Sequence, residues 1–313
     1  MEELMNSILA FFNSLPGACG QGLIWGIMAI GVYITYRILD VSDLTVDGSL
    51  ATGGAVCAVA ISAGVNPWLA VLLAVLAGML AGLVTGFFHT KCGIPAILSG
   101  ILTQLALYSI NLRIMAIGSN SKTLATIALN VNNHDLLLSS RYIRQMGVQN
   151  PLLLLIVVVA VVIGALYWFF GTEMGCSLRA TGANQNMARA QGINTNFGKV
   201  LALVVANGLV ALSGALLAQY QGSATVDMGR GAIVIGLAAV IIGEVMFSKI
   251  FINFALKLLA CIIGAIIYYA VITLVLRLGL ESTDLKLLTA LVVALFLTIP
   301  QFKGLKFKKA KEV

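Results

Sequence analysis

The sequence predicts an all-α polytopic membrane protein, and three observations carry that prediction. Hydrophobic residues make up 60% of the 313 residues and charged residues only 10%, and the mean hydropathy is +1.01. Soluble domains carry about 25% charged residues, so a chain this poor in charge is expected to face mostly lipid. The apolar runs are continuous and do not alternate with a period of two residues, which favours helices over a β-barrel.

Nine segments are long and apolar enough to be candidate spans, since crossing the hydrocarbon core takes about 20 residues of helix. They are residues 19–36, 49–64, 67–88, 94–111, 152–170, 200–220, 232–247, 252–275 and 286–300. The second and seventh are short and rich in glycine, which indicates irregular or broken helices. In the third, Gly78, Gly82 and Gly86 recur at four-residue spacing, which predicts close helix packing.

The chain is predicted to form one membrane-spanning domain over residues 1–313, flanked and interrupted by polar parts. Residues 1–16 are predicted to be an interfacial segment, because the stretch before Pro16 is short and mixed in polarity. The other polar parts are an external loop, a cytoplasmic loop and a basic cytoplasmic tail, at residues 112–150, 171–199 and 301–313.

The distribution of lysine and arginine sets the predicted orientation. Placing the 171–199 loop and the C-terminal tail in the cytoplasm puts twelve basic residues inside and seven outside, in the direction that membrane proteins favour. The same placement puts the N-terminus outside. Five of the inside residues are tail lysines, which favours contact with anionic headgroups over contact with nucleic acid as the meaning of the +7 net charge.

The inventory of reactive side chains argues against an enzyme. The two histidines, His89 and His134, are far apart in the sequence, and no HExxH, GxSxG or metal-spaced cluster is present. The five cysteines have no CxxC spacing and lie mostly in or beside apolar runs, as small apolar residues do.

The 171–199 loop carries the most specific local signal. Asn184 can cap a helix through its side-chain oxygen, and Gly192 can end that helix in the left-handed conformation. About two turns of helix are therefore predicted between them, with glycine hinges at Gly182 and Gly192.

A helix this short is not stable alone in water and needs a partner surface. Met187 and Ala188 offer it a small apolar face, and Asn194 or Thr195 can cap the span that follows. The alternative is an ordinary cytoplasmic loop whose basic residues fix the topology.

Three stretches match the pattern of a known family. Residues 178–194 read Leu-Arg-Ala-Thr-Gly-Ala-Asn-Gln-Asn-Met-Ala-Arg-Ala-Gln-Gly-Ile-Asn, residues 40–49 read Asp-Val-Ser-Asp-Leu-Thr-Val-Asp-Gly-Ser, and residues 236–244 read Gly-Leu-Ala-Ala-Val-Ile-Ile-Gly-Glu. They resemble, in turn, the cytoplasmic loop, the segment after the first span and the later Gly/Ala-rich helix of ABC-importer permeases of the branched-chain amino acid and ribose permease superfamily. The last two stretches look closest to the tryptophan/tyrosine-type branch, whose permeases are paired with a substrate-binding lipoprotein.

The resemblance implies a permease subunit in a bacterial cytoplasmic membrane, forming the path for a small solute such as an amino acid, the aromatic ones included. It implies an ABC ATPase subunit, an extracellular substrate-binding lipoprotein and a second permease copy or paralogue as partners. ATP and magnesium would be bound by the ATPase and no cofactor by this chain. The residues implied to contact the ATPase, in what the family uses as a coupling helix and its flanks, are Arg179, Gly182, Asn184, Met187, Ala188, Arg189 and Gly192.

Two departures from known patterns limit these implications. Branched-chain permeases usually have aromatic-Ala-His-Gly where this chain has Thr45-Val-Asp-Gly48, which argues against leucine, isoleucine and valine as solutes. The run from Gly192 to Val200 superficially resembles a P-loop, but it has one residue too many between its glycines. Val200 also stands where a serine or threonine would hold magnesium, so the match is a chance one.

Polar residues in or near the spans are the candidates for a pathway or gate. These candidates are Asp43, Asp47, Gln104, Asn207 and Glu244. The structural alternatives are a helix cap for the two aspartates, interhelical hydrogen bonds for Gln104 and Asn207, and for Glu244 a contact with Lys249 or a backbone amide.

Other function classes stay open at this point. An ion-gradient-driven secondary transporter would need carboxylates at mid-span, and the predicted spans place no acidic residue securely there. A non-transporting membrane scaffold would bind no ATPase. Asp227 and Arg230 are predicted to lie on the outer face, where they pair with each other or meet a binding protein.

Overall fold

The computed structural model of the chain describes residues 2–117, 121–129, 136–140, 150–247, 251 and 253–277, with isolated positions between 287 and 298. Most of the predicted ninth span lies outside these residues. So do the basic tail, Lys249, His134 and the asparagine-rich centre of the 112–150 loop.

The described residues form ten α-helices and one pair of short strands. The elements in chain order are α1 Glu2–Tyr33, α2 Thr45–Ser62, α3 Pro67–Thr90, α4 Ala96–Met115, β1 Thr126–Ala128, α5 Pro151–Gly171, α6 Glu173–Ala183, α7 Gln185–Ala190, α8 Thr195–Gln221, β2 Ser223–Thr225, α9 Ala232–Phe247 and α10 Phe254–Arg277. Within the described part, eight helical segments are long and apolar enough to cross a membrane. The predicted all-α polytopic class is confirmed.

The first helix is longer than the predicted first span. α1 continues through Pro16, so the residues predicted to be an interfacial segment are continuous with the first span. Membrane helices tolerate proline where neighbouring groups satisfy the freed backbone. A π-helical turn, Ile34–Ile38, extends α1, and the chain then turns at Asp40, which has a φ of 55°.

The bundle has two ends that differ in structure. α6 and α7 precede α8 and lie at one end, called here the loop end. At the other end, called the strand end, β2 follows α8 and pairs antiparallel with β1, with Ile127 opposite Ala224. Arg37 lies at the loop end, where it forms an ion pair with Glu244 of α9.

α2 and α9 both begin in the middle of the bundle. Ser49 near the start of α2 donates a hydrogen bond of 2.6 Å to Asn207, which lies halfway along the 27-residue α8. Because α8 is about 40 Å long at about 1.5 Å per residue, the start of α2 lies near mid-membrane. The start of α9 meets it there, since Asp47 accepts hydrogen bonds from Gly231 and Ile233.

The two helices then run in opposite directions. α2 reaches the strand end, where Gln219 contacts Cys57, and α9 reaches the loop end. The prediction that these two segments are irregular is wrong for α2, which is one regular helix that begins at Thr45 and not at 49. The same prediction describes the α9 segment better, because a 3-10 turn, Val226–Gly229, precedes that helix.

α3 packs closely against α8, as its glycine spacing predicts. A Cβ atom on Gly78 or Gly82 would collide with the α8 backbone, and one on Gly86 would approach Val200 to 3.0 Å. Gly78, Gly82 and Gly86 therefore bring two helix backbones together, which is the usual role of small residues in membrane bundles.

Candidate functional site

The short helix predicted in the 171–199 loop is present as α7. The side-chain oxygen of Asn184 accepts hydrogen bonds of 3.1 Å from the backbone amides of Asn186 and Met187. Gly192 follows the helix with a φ of +80°. Asn194 caps α8 through a bond from Phe197, so the choice that the sequence left open is settled in favour of Asn194 over Thr195.

The helix before α7 was not predicted. α6, Glu173–Ala183, begins after Thr172, whose hydroxyl accepts a bond of 3.4 Å from Gly175. A threonine followed by an acidic first turn is a recognised helix start, so Thr172 with Glu173 is the signal that could have found it.

Gly182 is not a hinge. It lies inside α6, and a Cβ atom there would collide with the carbonyl oxygen of Ile38 at the end of the π-helical turn. Glycine at this position lets α6 pack directly against the backbone that follows α1. The residue of this loop that does need to be glycine is Gly192, because its φ is positive.

The two loop arginines make contacts within the chain. Arg179 donates through Nη2 to the carbonyl oxygen of Phe170 at 2.8 Å, which places a cation at the C-terminus of α5. Arg189 donates through Nε to the hydroxyl of Thr195 at 2.9 Å. Both arginines therefore also fix the shape of the loop end.

Met187 and Ala188 do not share one exposed face. Ala188 is completely buried against the chain itself, whereas Met187 is 50% exposed. The predicted apolar face therefore reduces to Met187, and Ala188 anchors α7 to the bundle. A pocket of about 310 Å³ opens beside α7, between Asp40, His89, Gln185 and Lys199.

Asp43, Ser49 and Asn207 form a second polar site, called here the buried cluster. Asn207 donates through Nδ2 to Asp43 Oδ2 at 2.7 Å and accepts from Ser49 through Oδ1 at 2.6 Å. Asp43 Oδ1 also accepts from the backbone amide of Thr45 at 2.9 Å. Asp43 therefore caps the start of α2, as the structural alternative predicted, and it also holds Asn207.

The buried cluster is closed to solvent in this chain. Asp43 is 3% exposed, and Ser49 and Asn207 are not exposed at all. Burial raises the pKa of Asp43, against the opposing effect of the hydrogen bonds from Thr45 and Asn207. This arrangement supports the interhelical role for Asn207, because the side chain faces no open pathway.

Threonine hydroxyls continue the polar contacts across two further helices. Thr85 of α3 lies 2.7 Å from the hydroxyl of Thr45 and donates to Thr103 of α4 at 2.9 Å. All three are buried. Buried polar groups keep partners in this way because an unpaired one would cost about 1–3 kcal/mol.

Asp47 caps a different helix from the one expected. Its Oδ2 accepts from Gly231 at 2.9 Å and its Oδ1 accepts from Ile233 at 3.0 Å, so it caps the start of α9. The carboxylate thus lies where the positive ends of two helix dipoles, those of α2 and α9, come together.

The other two candidates lie apart from this site. Gln104 is half-buried on α4 and packs beside Gly48. Glu244 forms an ion pair of 2.8 Å with Arg37, a partner that the sequence did not suggest. Asp47 and Glu244 both lie in span helices, Asp47 in the first turn of α2 and Glu244 near the end of α9.

Comparison with known proteins places the chain in a family. Residues 16–299 match the family described as branched-chain amino acid transport system, permease component. The tyrosine transport system permease protein of Clostridioides difficile (strain R20291) is 41% identical over 88% of this chain and 88% of its own length. An uncharacterized protein of Rickettsia prowazekii (strain Madrid E) is 34% identical over 93% of this chain and 98% of its own length.

A more distant relative and a solved structure are also similar to this chain. The ribose import permease protein RbsC of Escherichia coli (strain K12) is 27% identical over 74% of this chain and 69% of its own length. The structure of PsaBC from Streptococcus pneumoniae in complex with Fab covers 97% of this chain and 100% of its own, with a TM-score of 0.54 and 16% identity, which shows a shared fold. The chain belongs to the family described as branched-chain amino acid transport system, permease component, which is an ABC-type permease family whose members related to this chain are transport subunits and not enzymes.

Proposed function

We propose that the chain is the membrane-spanning permease subunit of an ATP-binding cassette importer for an amino acid, with tyrosine as the first candidate. The observation that supports the solute most directly is the 41% identity to a tyrosine transport system permease protein over 88% of both chains. An external substrate-binding lipoprotein delivers the solute to the strand end, and a second copy or a paralogue completes the pathway. The chain binds no ATP or magnesium itself; the ATPase subunit does.

The loop end is the proposed contact with that ATPase, on the cytoplasmic side. α7 is a short helix held at both ends, by Asn184 and by Gly192, and anchored underneath by buried Ala188. Its exposed Met187 is the largest apolar side chain that α7 presents to solvent. Such a side chain gains free energy by entering a groove on a partner, roughly 1.5–3 kcal/mol when fully buried.

The test is co-purification of the ATPase in mild detergent with two matched variants. Met187 and Met174 are both exposed methionines of the loop end, 50% and 47% exposed, and Met174 lies in α6. We expect Met187→Glu to lose the ATPase and Met174→Glu to retain it. Both variants should insert and unfold like the wild type, because neither side chain is buried.

Two results would contradict the proposal. If Met187→Glu still binds the ATPase as tightly as the wild type, α7 is not the contact. If the intact chain binds no ATPase encoded with it, or if vesicles depleted of ATP take up tyrosine under an imposed ion gradient, the chain is not an ABC importer subunit. Charge reversal of Arg179 or Arg189 is a weaker test, since it also breaks their contacts within the loop end.

A further inference from the structure

The segment between β2 and α9, residues 226–231, leads from the strand end to Asp47 without forming an α-helix. Gly229 packs directly on the carbonyl oxygen of Asp47, and Gly231 donates to the Asp47 carboxylate. Asp47 lies two residues before Ser49, which contacts Asn207 halfway along α8. The segment therefore lies near mid-membrane, and not on the outer face where the sequence placed it.

This segment carries an ion pair that the rest of the chain does not cover. Arg230 Nε lies 2.9 Å from Asp227 Oδ1, and the two side chains are 62% and 60% exposed. The guanidinium of Arg230 lies 5.9 Å from the ring centre of Tyr108 on α4, which is 42% exposed. These three side chains, Tyr108, Asp227 and Arg230, are called here the exposed pair and its tyrosine.

Charges cannot remain in lipid at this depth without a large cost. An arginine or aspartate at the bilayer centre is costly, and such residues almost always face the bundle interior or a water-filled cavity. Backbone that is not helical is tolerated there only where it is buried in protein or lines a water-filled cavity. The face bearing the exposed pair must therefore meet water or another protein surface, and not acyl chains.

We propose that the exposed pair and its tyrosine line the solute path, and that Arg230 contacts the carboxylate of the amino acid as it passes. The inference rests on the proposed function and names the residues that such a path would use. A guanidinium matches a carboxylate in geometry as well as charge, and Asp227 can take up the α-ammonium group. Asp227 and Arg230 already pair with each other. When the zwitterion binds, that one ion pair is replaced by two, so neither side chain loses its partner.

Water access at Arg230 is the first test, because it does not depend on the identity of the solute. Arg230→Cys is introduced after Cys92 and Cys176, the two exposed native thiols, are changed to serine. Val161→Cys is the control, since Val161 lies at the middle of α5 and is 63% exposed. In membranes containing the complete transporter, a charged, membrane-impermeant thiosulfonate should modify Arg230→Cys and not Val161→Cys. Equal lack of reaction at both positions would overturn the proposal.

Uptake measurements separate solute contact from a structural ion pair. In proteoliposomes with the ATPase and the binding lipoprotein, Arg230→Gln should lower the rate of tyrosine uptake by roughly tenfold or more. Arg113→Gln, at an exposed position near the end of α4, should leave it unchanged. The charge swap Asp227→Arg with Arg230→Asp keeps an ion pair but reverses the positions of its charges, so we expect it to restore little uptake.

The outcomes distinguish this inference from the proposed function. If the wild type takes up tyrosine with ATP and the charge swap restores the wild-type rate, the pair is structural and the inference fails while the proposed function stands. If the wild type transports no tyrosine, the proposed solute is wrong. Thiol modification of Arg230→Cys then still decides whether this face lines an aqueous path.

Discussion

The loop end and the buried cluster are both polar interruptions in an apolar chain, and they are stabilised in different ways. In the 171–199 loop the described side-chain hydrogen bonds join residues close in sequence, such as Asn184 and Met187. In the buried cluster Asn207 bonds to Asp43, 164 positions away. Local contacts form a surface that a partner can use, whereas distant contacts fix how the spans pack. The stability of the two sites should therefore respond differently to the loss of one asparagine side chain.

The largest effect is expected from Asn207→Leu. This change removes the partner of a buried carboxylate and of Ser49 at once, so the free energy of unfolding should fall by about 3 kcal/mol. Thermal unfolding in mild detergent measures it. The control is Asn196→Leu, an exposed position in the same helix, where a change within about 0.5 kcal/mol is expected. Equal losses in both variants would contradict a special role for the buried cluster.

Asp47→Ala tests the cap that joins α2 to α9. Two backbone amides, those of Gly231 and Ile233, lose their acceptor, so a loss of about 1–2 kcal/mol is expected. Hydrogen exchange should quicken at both amides. Asp47→Asn keeps one oxygen acceptor and should give an intermediate loss; if it exchanges as fast as the alanine variant, the carboxylate acts by charge and not as a cap.

Asn184→Ala makes the corresponding change at the loop end. The amides of Asn186 and Met187 lose their cap, which should destabilise α7 by about 1 kcal/mol. Hydrogen exchange should rise in α7 alone, with the unfolding temperature of the whole bundle unchanged. Asn184→Asp retains a capping oxygen and is expected to match the wild type. A drop in the global unfolding temperature would show that α7 is coupled to the spans.

The smallest change in stability near neutral pH is expected from Asp43→Asn. The raised pKa of Asp43 means that the folded state holds this proton more tightly than the unfolded chain, whose aspartate pKa is about 3.9. Its contribution to stability is full below that unfolded value and is lost as the pH rises through the higher folded pKa.

The variant should therefore lose this part of the pH dependence. An amide at position 43 can still accept from Thr45 and can bond to Asn207 if that amide turns over, so the cluster survives. Unfolding temperatures recorded across the acid range should rise more steeply towards low pH in the wild type than in Asp43→Asn. Parallel curves would show that Asp43 titrates normally.

What could be predicted from the sequence follows the same contrast. The cap at Asn184 and the left-handed Gly192 depend on neighbours two or three positions away, so the pattern of residues was enough to place them, and it narrowed the cap of α8 to Asn194 or Thr195. The helical spans depend on composition, which is also local information.

The parts that could not be predicted depend on distant partners. The run from Thr45 to Ser49 is polar enough to suggest a loop, and it is helical because Thr85, Asn207 and α9 provide its polar partners. The depth of Arg230 was missed because the chain turns back from the strand end to reach Asp47. Gly182 was mistaken for a hinge because its neighbour, Ile38, is far away in sequence.

The glycines that bring α2, α3 and α8 together also limit how the bundle can move. A Cβ atom on Gly53 would strike the backbone of Ala211, and one on Gly214 would strike that of Leu50. Sliding either helix by one position would bring a side chain to a place with no room for it. We therefore expect α2, α3 and α8 to move as one rigid body with no shear between them, pivoting about connections that lead out of it, such as residues 91–95 between α3 and α4.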